Sequence, residues 1–303
     1  MEESAIGLVS VVVPVYNAAD HLRDTLDSIF NQTYKNLEVV AVDDGSSDDS
    51  VEILKSYGER VVVVQQANAG PAAARNLGVE KANGSWIAFL DADDLWQPDK
   101  IEKQIQGLGG CSWSYTDSIF MGGVNDGKRD SELNDKLSGE VLDALICCNF
   151  IGTSSVMIRR DVFLDIGGFD RSLRSIQDWD LWMRVAGEHP IAYLDEPMVR
   201  YRVHAASTSR STRKTLPNHL KVIDKIFSPR GVAAHKSHLK PVTKAKSMGI
   251  CSQIAEEEGD YSFALKCAIG AFLQQPSSRD HAIRALKSSV KFVLHGLGLY
   301  GRA

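Results

Sequence analysis

Three groups of polar or acidic residues stand where apolar runs stop: Tyr16-Asn17, Asp43-Asp44 and Asp91-Ala92-Asp93-Asp94. The runs before them have the length and composition of strands buried on both faces. In an open parallel α/β sheet, ligands bind outside the carboxyl ends of the strands, so these groups are expected on one rim. Two acidic clusters on one rim repel each other unless a cation lies between them. A divalent metal that takes oxygen ligands, Mn²⁺ or Mg²⁺, resolves that conflict. Asp, Gly and Ser also favour turns, so Asp43–Ser47 taken alone suits plain turn chemistry equally well. A further acid, Asp178, opens a helix-like stretch and could there be an N-terminal cap.

The elements that must position these groups alternate in type. Strands are expected over Leu8–Val15, Leu37–Val42, Val61–Gln65 and Ser85–Leu90. Between them lie a helix capped by Asp20, a short helix over Asp48–Tyr57 and an Ala-rich helix over Pro71–Lys81. Pro98 opens a further helix through Leu108, since proline is tolerated in a first turn. Repeated β-α-β order implies a mostly parallel sheet with right-handed crossovers. Beyond it come strands at Ser112–Phe120 and Thr153–Ile158, a helix at Gly139–Cys148 and another around Asp178–Gly187. Met121–Ser138 is rich in Gly and Asp and reads as a mobile loop, while Pro197–His204 is the last extended segment.

After Ala205 the pattern changes. Ser207–Arg213 is loop-like, and residues 218–228, 241–257, 260–274 and 279–294 favour helix. The charge changes too. Residues 1–204 carry 18 basic and 33 acidic side chains, whereas residues 205–303 carry 16 basic and 6 acidic. The chain therefore divides into an α/β domain, 1–204, and a basic helical region, 205–303. Between Arg210 and Lys246 there are ten basic residues against one acid, Asp224. Such a tail can bind an anionic membrane surface or pack on the acidic domain. It lacks the aromatic interleaving of a nucleic-acid binder.

The five cysteines show no paired spacing and no C-x-x-C, so neither a disulfide framework nor a zinc site is expected. No run is long enough to span a membrane, and Glu2 and Glu3 stand where a signal peptide carries positive charge. A cytoplasmic location, with peripheral contact at the inner face of the membrane as an option, is the expectation. No G-x-G-x-x-G follows a strand and no G-x-S-x-G occurs, which disfavours nicotinamide enzymes and serine hydrolases.

The stretch Val9–Ser50, VSVVVPVYNAADHLRDTLDSIFNQTYKNLEVVAVDDGSSDDS, closely resembles family 2 glycosyltransferases of the GT-A fold. The resemblance continues through Asn68-Ala69-Gly70-Pro71, Ala74-Arg75-Asn76 and DADDLWQPDKI at Asp91–Ile101. It returns at Gln177-Asp178-Trp179-Asp180-Leu181-Trp182 and Tyr201-Arg202-Val203-His204, covering about residues 8–204. It implies that Pro14, Val15, Tyr16 and Asn17 line a nucleotide-sugar site. Asp44 would accept from uracil N3, Arg75 would lie near the base or phosphates, and Asp91-Ala92 would sit on the ribose side. Arg75 reads otherwise as a surface ion pair.

By the same resemblance Asp93 would coordinate the metal, His204 would complete its shell or contact the diphosphate, and Asp94 would be structural. His204 could equally be a satisfied histidine at the domain edge. Asp178 would be the general base for an incoming hydroxyl. Trp179 and Trp182 would stack on an acceptor sugar, with a core role the alternative for Trp182. The implied activity is inverting transfer from a nucleotide-diphosphate donor, UDP-sugar by preference, to a saccharide or lipid-linked saccharide in cell-surface polysaccharide biosynthesis. The Q-x-x-R-W signature of processive synthases is absent after Asp178. A noncatalytic nucleotide-sugar-binding scaffold of an assembly complex is the competing function.

Overall fold

In a computed structural model, residues 7–204, 212–297 and 299 are described. Glu2, Glu3 and residues 207–211 of the expected loop lie outside them. The chain divides into two compact units. One comprises Met1–Leu142 and Phe150–His204, the other Asp143–Asn149 and Ala205–Ala303.

The first unit is built on an eight-stranded mixed sheet. Its strands are β1 (Val9–Val15), β2 (Leu37–Asp43), β3 (Val62–Gln65), β4 (Trp86–Phe89), β5 (Leu95–Trp96), β6 (Trp113–Met121), β7 (Met157–Arg159) and β8 (Ala192–Arg202). They lie in the order β3-β2-β1-β4-β7-β6-β8-β5. β3, β2, β1 and β4 are mutually parallel. β7 is antiparallel to both β4 and β6, and β8 runs parallel to β6. Two reversals restore direction, so β1, β2, β4 and β8 all end on the same rim. That is where the acidic groups of the first domain were expected.

β1 forms because Val9, Val11, Val12, Val13 and Val15 are all fully buried, as a strand covered on both faces requires. Each such side chain contributes about 1.5–3 kcal/mol by leaving water. Helix α3 (Pro71–Lys81) packs so closely that a Cβ at Gly78 would run into Val12. Helices α1 (Ala19–Phe30), α2 (Ser50–Ser56) and α4 (Lys100–Gln106) complete the first crossovers. Helices α6 (Arg160–Asp165) and α7 (Gln177–Ala186) follow β7. Phe89, Phe163, Phe169, Trp113 and Trp182 form an aromatic cluster beside β4, with centroids 5.3–6.4 Å apart.

Several boundaries differ from expectation. Asp20 does not cap α1: the N-cap is Ala18, and the first free amides are taken by Ser50 Oγ (2.9 Å) and Asp48 Oδ2 (3.0 Å). Thr153–Ser155 is a 3₁₀ turn, so β7 is shorter than the expected strand. β8 starts at Ala192, earlier than the apolar pattern indicates, because it bulges around Pro197 opposite Asp117. Within 121–138 the chain is tethered. Asp117 is buried and accepts from Arg129 Nε (2.7 Å) and Ser131 Oγ (2.8 Å).

The second unit contains α8 (Thr212–Ile226), α9 (Lys240–Glu257), α10 (Tyr261–Gln274) and α11 (Arg279–Gly296). Thr212 and Arg213, expected in a loop, open α8. Asp260 caps α10 by accepting from Phe263 N (3.1 Å), and Cys251, Ala255, Phe263, Ala264 and Cys267 form a small core. Helix α5 (Leu142–Cys147) begins at the last residue before the 143–149 segment.

Candidate active site

The ends of β1 and β2 are stitched into one ledge. Asn17 has φ 48°, a left-handed conformation that asparagine tolerates. Its amide donates to Ser46 Oγ (3.0 Å), and its Oδ1 accepts from Ser47 N (2.8 Å). Asn17 thus spends its side chain on the loop. The Val15 side chain is buried, and its carbonyl accepts from Asp44 N (2.8 Å). Pro14 is half-buried, whereas the Tyr16 ring is 54% exposed on the rim.

Asp44 is itself buried, and its carboxylate shapes the neighbouring loop. Oδ1 accepts from Gln66 Nε2 (2.6 Å) and Ala69 N (2.8 Å), and Oδ2 from Gly70 N (2.8 Å). Gly70 has φ 90°, which favours glycine, and a Cβ there would lie 3.1 Å from Arg174 Nη1. Arg174 was not singled out in the sequence, yet it lies over the start of α3.

The turn after β4 is the centre of the site. Thr25 of α1 is buried beneath it and donates to the carbonyls of both Ala92 and Asp94 (2.9 Å each). The Ala92 side chain is buried too, so the turn offers its two flanking carboxylates outward. Arg75 Nη2 holds Asp91 Oδ1 at 2.5 Å. The guanidinium is buried, lies 5.4 Å from the Phe169 ring centroid and leaves Nε and Nη1 without a partner. The ion pair that was the alternative reading of Arg75 is thus formed, with its guanidinium end buried and the Asp91 side chain 31% exposed.

Asp94 points the other way. It is fully buried and accepts from Ser154 Oγ (2.5 Å) and Arg202 N (2.8 Å), joining the turn to β8. Burial, reinforced by the charges of Asp93 and Asp91, raises its pKa well above the usual carboxylate range. Asp93 Oδ2 lies 2.9 Å from His204 Nε2, with both side chains about one-third exposed. Arg202 Nε also donates to the Asp93 carbonyl (2.8 Å). His21 of α1 stands beside them, its ring 5.7 Å from that of His204. Nothing in the spacing of His21 announced it, because a lone histidine in a first helical turn carries no pattern.

Behind the rim, Trp96 Nε1 donates to Ser154 O (2.8 Å), and Lys100 Nζ sits 4.2 Å from the Trp96 ring centroid. Lys100 is fully buried and donates to Gln104 Oε1 (2.7 Å); burial pushes its ammonium down to about 7.

Asp178 is half-buried in the first turn of α7. The N-cap there is Ile176, so Asp178 occupies the second helical position and not the capping one. Ile176 has φ 63°, a left-handed conformation that a β-branched side chain adopts only at a cost. Trp179 and Trp182 are both buried, which corrects the expectation that they stack on a sugar. They belong to the core: Trp182 lies between Trp113 and Phe169.

Asp93 and His204 supply oxygen and imidazole donors, a set that suits Mn²⁺ or Mg²⁺. Among the described residues no three His, Cys, Asp or Glu side chains form a metal cage.

This fold is found in solved glycosyltransferases. TarS of S. aureus, residues 1–349 in complex with UDP-GlcNAc, superposes with a TM-score of 0.63 at 16% identity, covering 98% of this chain and 93% of that one. The mannosyltransferase PcManGT from Pyrobaculum calidifontis, in complex with GDP-Man and Mn²⁺, gives 0.59 at 20% identity over 93% and 84%. The architecture is that of a GT-A glycosyltransferase with a helical C-terminal region.

The model of glycosyl transferase family 2 matches residues 10–163. TuaG of Bacillus subtilis, a glycosyltransferase assigned to teichuronic acid biosynthesis, is 34% identical over 215 residues, 68% of this chain and 83% of that protein. The chain belongs to glycosyl transferase family 2.

Proposed function

We propose that the protein is an inverting, nonprocessive, metal-dependent glycosyltransferase that moves a sugar from a UDP-sugar to a hydroxyl of a saccharide or lipid-linked saccharide. The observation that carries this reading is the turn after β4, where Asp91 is held by Arg75 and Asp93 is met by His204. Polysaccharide biosynthesis as the setting is supported by the likeness to TuaG, and a UDP donor by the likeness to TarS.

In this account the exposed Tyr16 ring stacks on the base, and the loop organised by Asp44 borders it. Asp91, fixed on one oxygen by Arg75, keeps Oδ2 for the ribose hydroxyls. A divalent cation held by Asp93 and His204 would act as a Lewis acid on the departing diphosphate. Asp178 takes the proton of the acceptor hydroxyl as it attacks from the opposite face, so no protein nucleophile is needed.

The test is transfer and hydrolysis of UDP-sugars with and without Mn²⁺, alongside a thermal-shift screen of nucleotide sugars. Stabilisation grows as RT ln(1 + [L]/Kd), so the true donor stands out. Metal-dependent turnover supports the proposal. Metal-dependent binding with neither hydrolysis nor transfer to any acceptor would show a nucleotide-sugar-binding scaffold instead.

A further inference from the structure

Helix α11 is covered on one side and bare on the other. Ser288 is buried and donates to Glu256 Oε1 (2.5 Å), and Lys291 pairs with Glu256 Oε2 (2.6 Å), which marks the face against α9. On the opposite face Ile283 is 39% exposed, Leu286 68%, Val290 50%, Val293 56% and Leu297 66%. Steps of three and four residues stack these side chains in one seam roughly 20 Å long. Solitary exposed apolar residues are ordinary, whereas a contiguous row marks an interaction surface.

Charge identifies what covers it. Within α11, Arg279 and Lys287 are exposed on the side of the seam against a single acid, Asp280, while Lys291 is spent on Glu256; residues 205–303 carry 16 basic and 6 acidic side chains. A second copy would set this charge against itself. The seam also spans about two heptads, fewer than the three or four of a coiled coil, and residues beside it, such as Ser289 and Gly296, offer no opposite charge. An anionic bilayer matches both the apolar seam and its basic flank. Among the described residues no helix is long and apolar enough to cross a membrane, so the seam lies along the surface.

We propose that α11 docks on an anionic lipid surface, with Ile283, Leu286, Val290, Val293 and Leu297 entering the boundary between headgroups and acyl chains. This stands independently of the donor and acceptor.

The test is co-sedimentation of the full chain with phosphatidylcholine vesicles, with and without phosphatidylglycerol. The wild type is expected to pellet only with the phosphatidylglycerol vesicles. The double variant Leu286→Glu/Val293→Glu should lose at least tenfold in partitioning, and Lys287→Glu should weaken it to a smaller degree. Both alter exposed side chains, so an unchanged melting curve confirms that each folds. Wild-type protein left in the supernatant, or pelleting that the double variant does not reduce, overturns the proposal. So does a lipid-free dimer that the double variant dissolves, since the seam would then join two copies.

Discussion

His204 Nε2 meets Asp93 Oδ2 at 2.9 Å across 111 positions of sequence. The contact exists because two antiparallel steps, β4 to β7 and β7 to β6, bring β8 back to the direction of β4. Both strands then deliver their C-terminal residues to one rim. If this pair holds the metal, His204→Ala should raise the Mn²⁺ concentration for half-maximal activity by at least roughly 10–100-fold, since loss of even an outer partner of a ligand costs that much. A Mn²⁺ titration of initial rates checks it, and an unchanged half-point removes His204 from the metal site.

The Arg75–Asp91 strut predicts a coupled loss. Arg75→Met leaves Asp91 unpaired and should cost about 1–3 kcal/mol of stability. Adding Asp91→Asn should recover part of that, since neighbours in one ion pair are not additive. Urea unfolding of the three variants measures the coupling. Strict additivity would show that the pair is incidental.

Ile176 predicts that stability and rate move apart. A β-branched residue at φ 63° costs about 1–3 kcal/mol. Ile176→Gly should relieve that cost and hold or raise the melting temperature. It should lower kcat while leaving the donor KM near wild type, because Asp178 two residues on loses its fixed entry. A fall in stability with kcat intact contradicts this assignment.

Lys100 predicts a pH dependence. Its pKa is about 7 in the folded chain against an ordinary 10.5. Between these values the unfolded chain binds the extra proton, so this group makes stability rise with pH, by at most about 1.4 kcal/mol per unit. Below about 7 the slope disappears, because both states are protonated. Comparing Lys100→Met with the wild type from pH 7 to 9 isolates the effect from the cysteines, which titrate in the opposite sense. Parallel stability curves would mean that Lys100 stays charged.

Much of the rim was legible in the sequence because buried parallel strands are continuous apolar runs whose ends are conspicuous. Leu37–Asp43, which ends in an acid, and Trp86–Phe89, followed by Leu90 and Asp91, show this. β8 was only half legible. Asp195, Glu196 and Pro197 interrupt its apolar pattern, and Asp195 is engaged by Arg129 of the tethered 121–138 segment (2.5 Å). Asp44 was expected to accept from uracil N3, and local spacing did not show that three donors from the Gln66–Gly70 loop close on its carboxylate. The strain at Ile176 and the nearness of His21 to His204 depend on tertiary geometry that no local spacing encodes.

The central claim is that Asp178 serves the chemical step while the rim around Asp91 and Asp93 serves the donor. It is tested most directly by Asp178→Asn, measuring single-turnover transfer and donor affinity on the same preparation. A loss of roughly 10²–10⁴-fold in rate with donor Kd within about twofold is the predicted result. A rate near wild type, or a loss explained wholly by weaker donor binding, would contradict it.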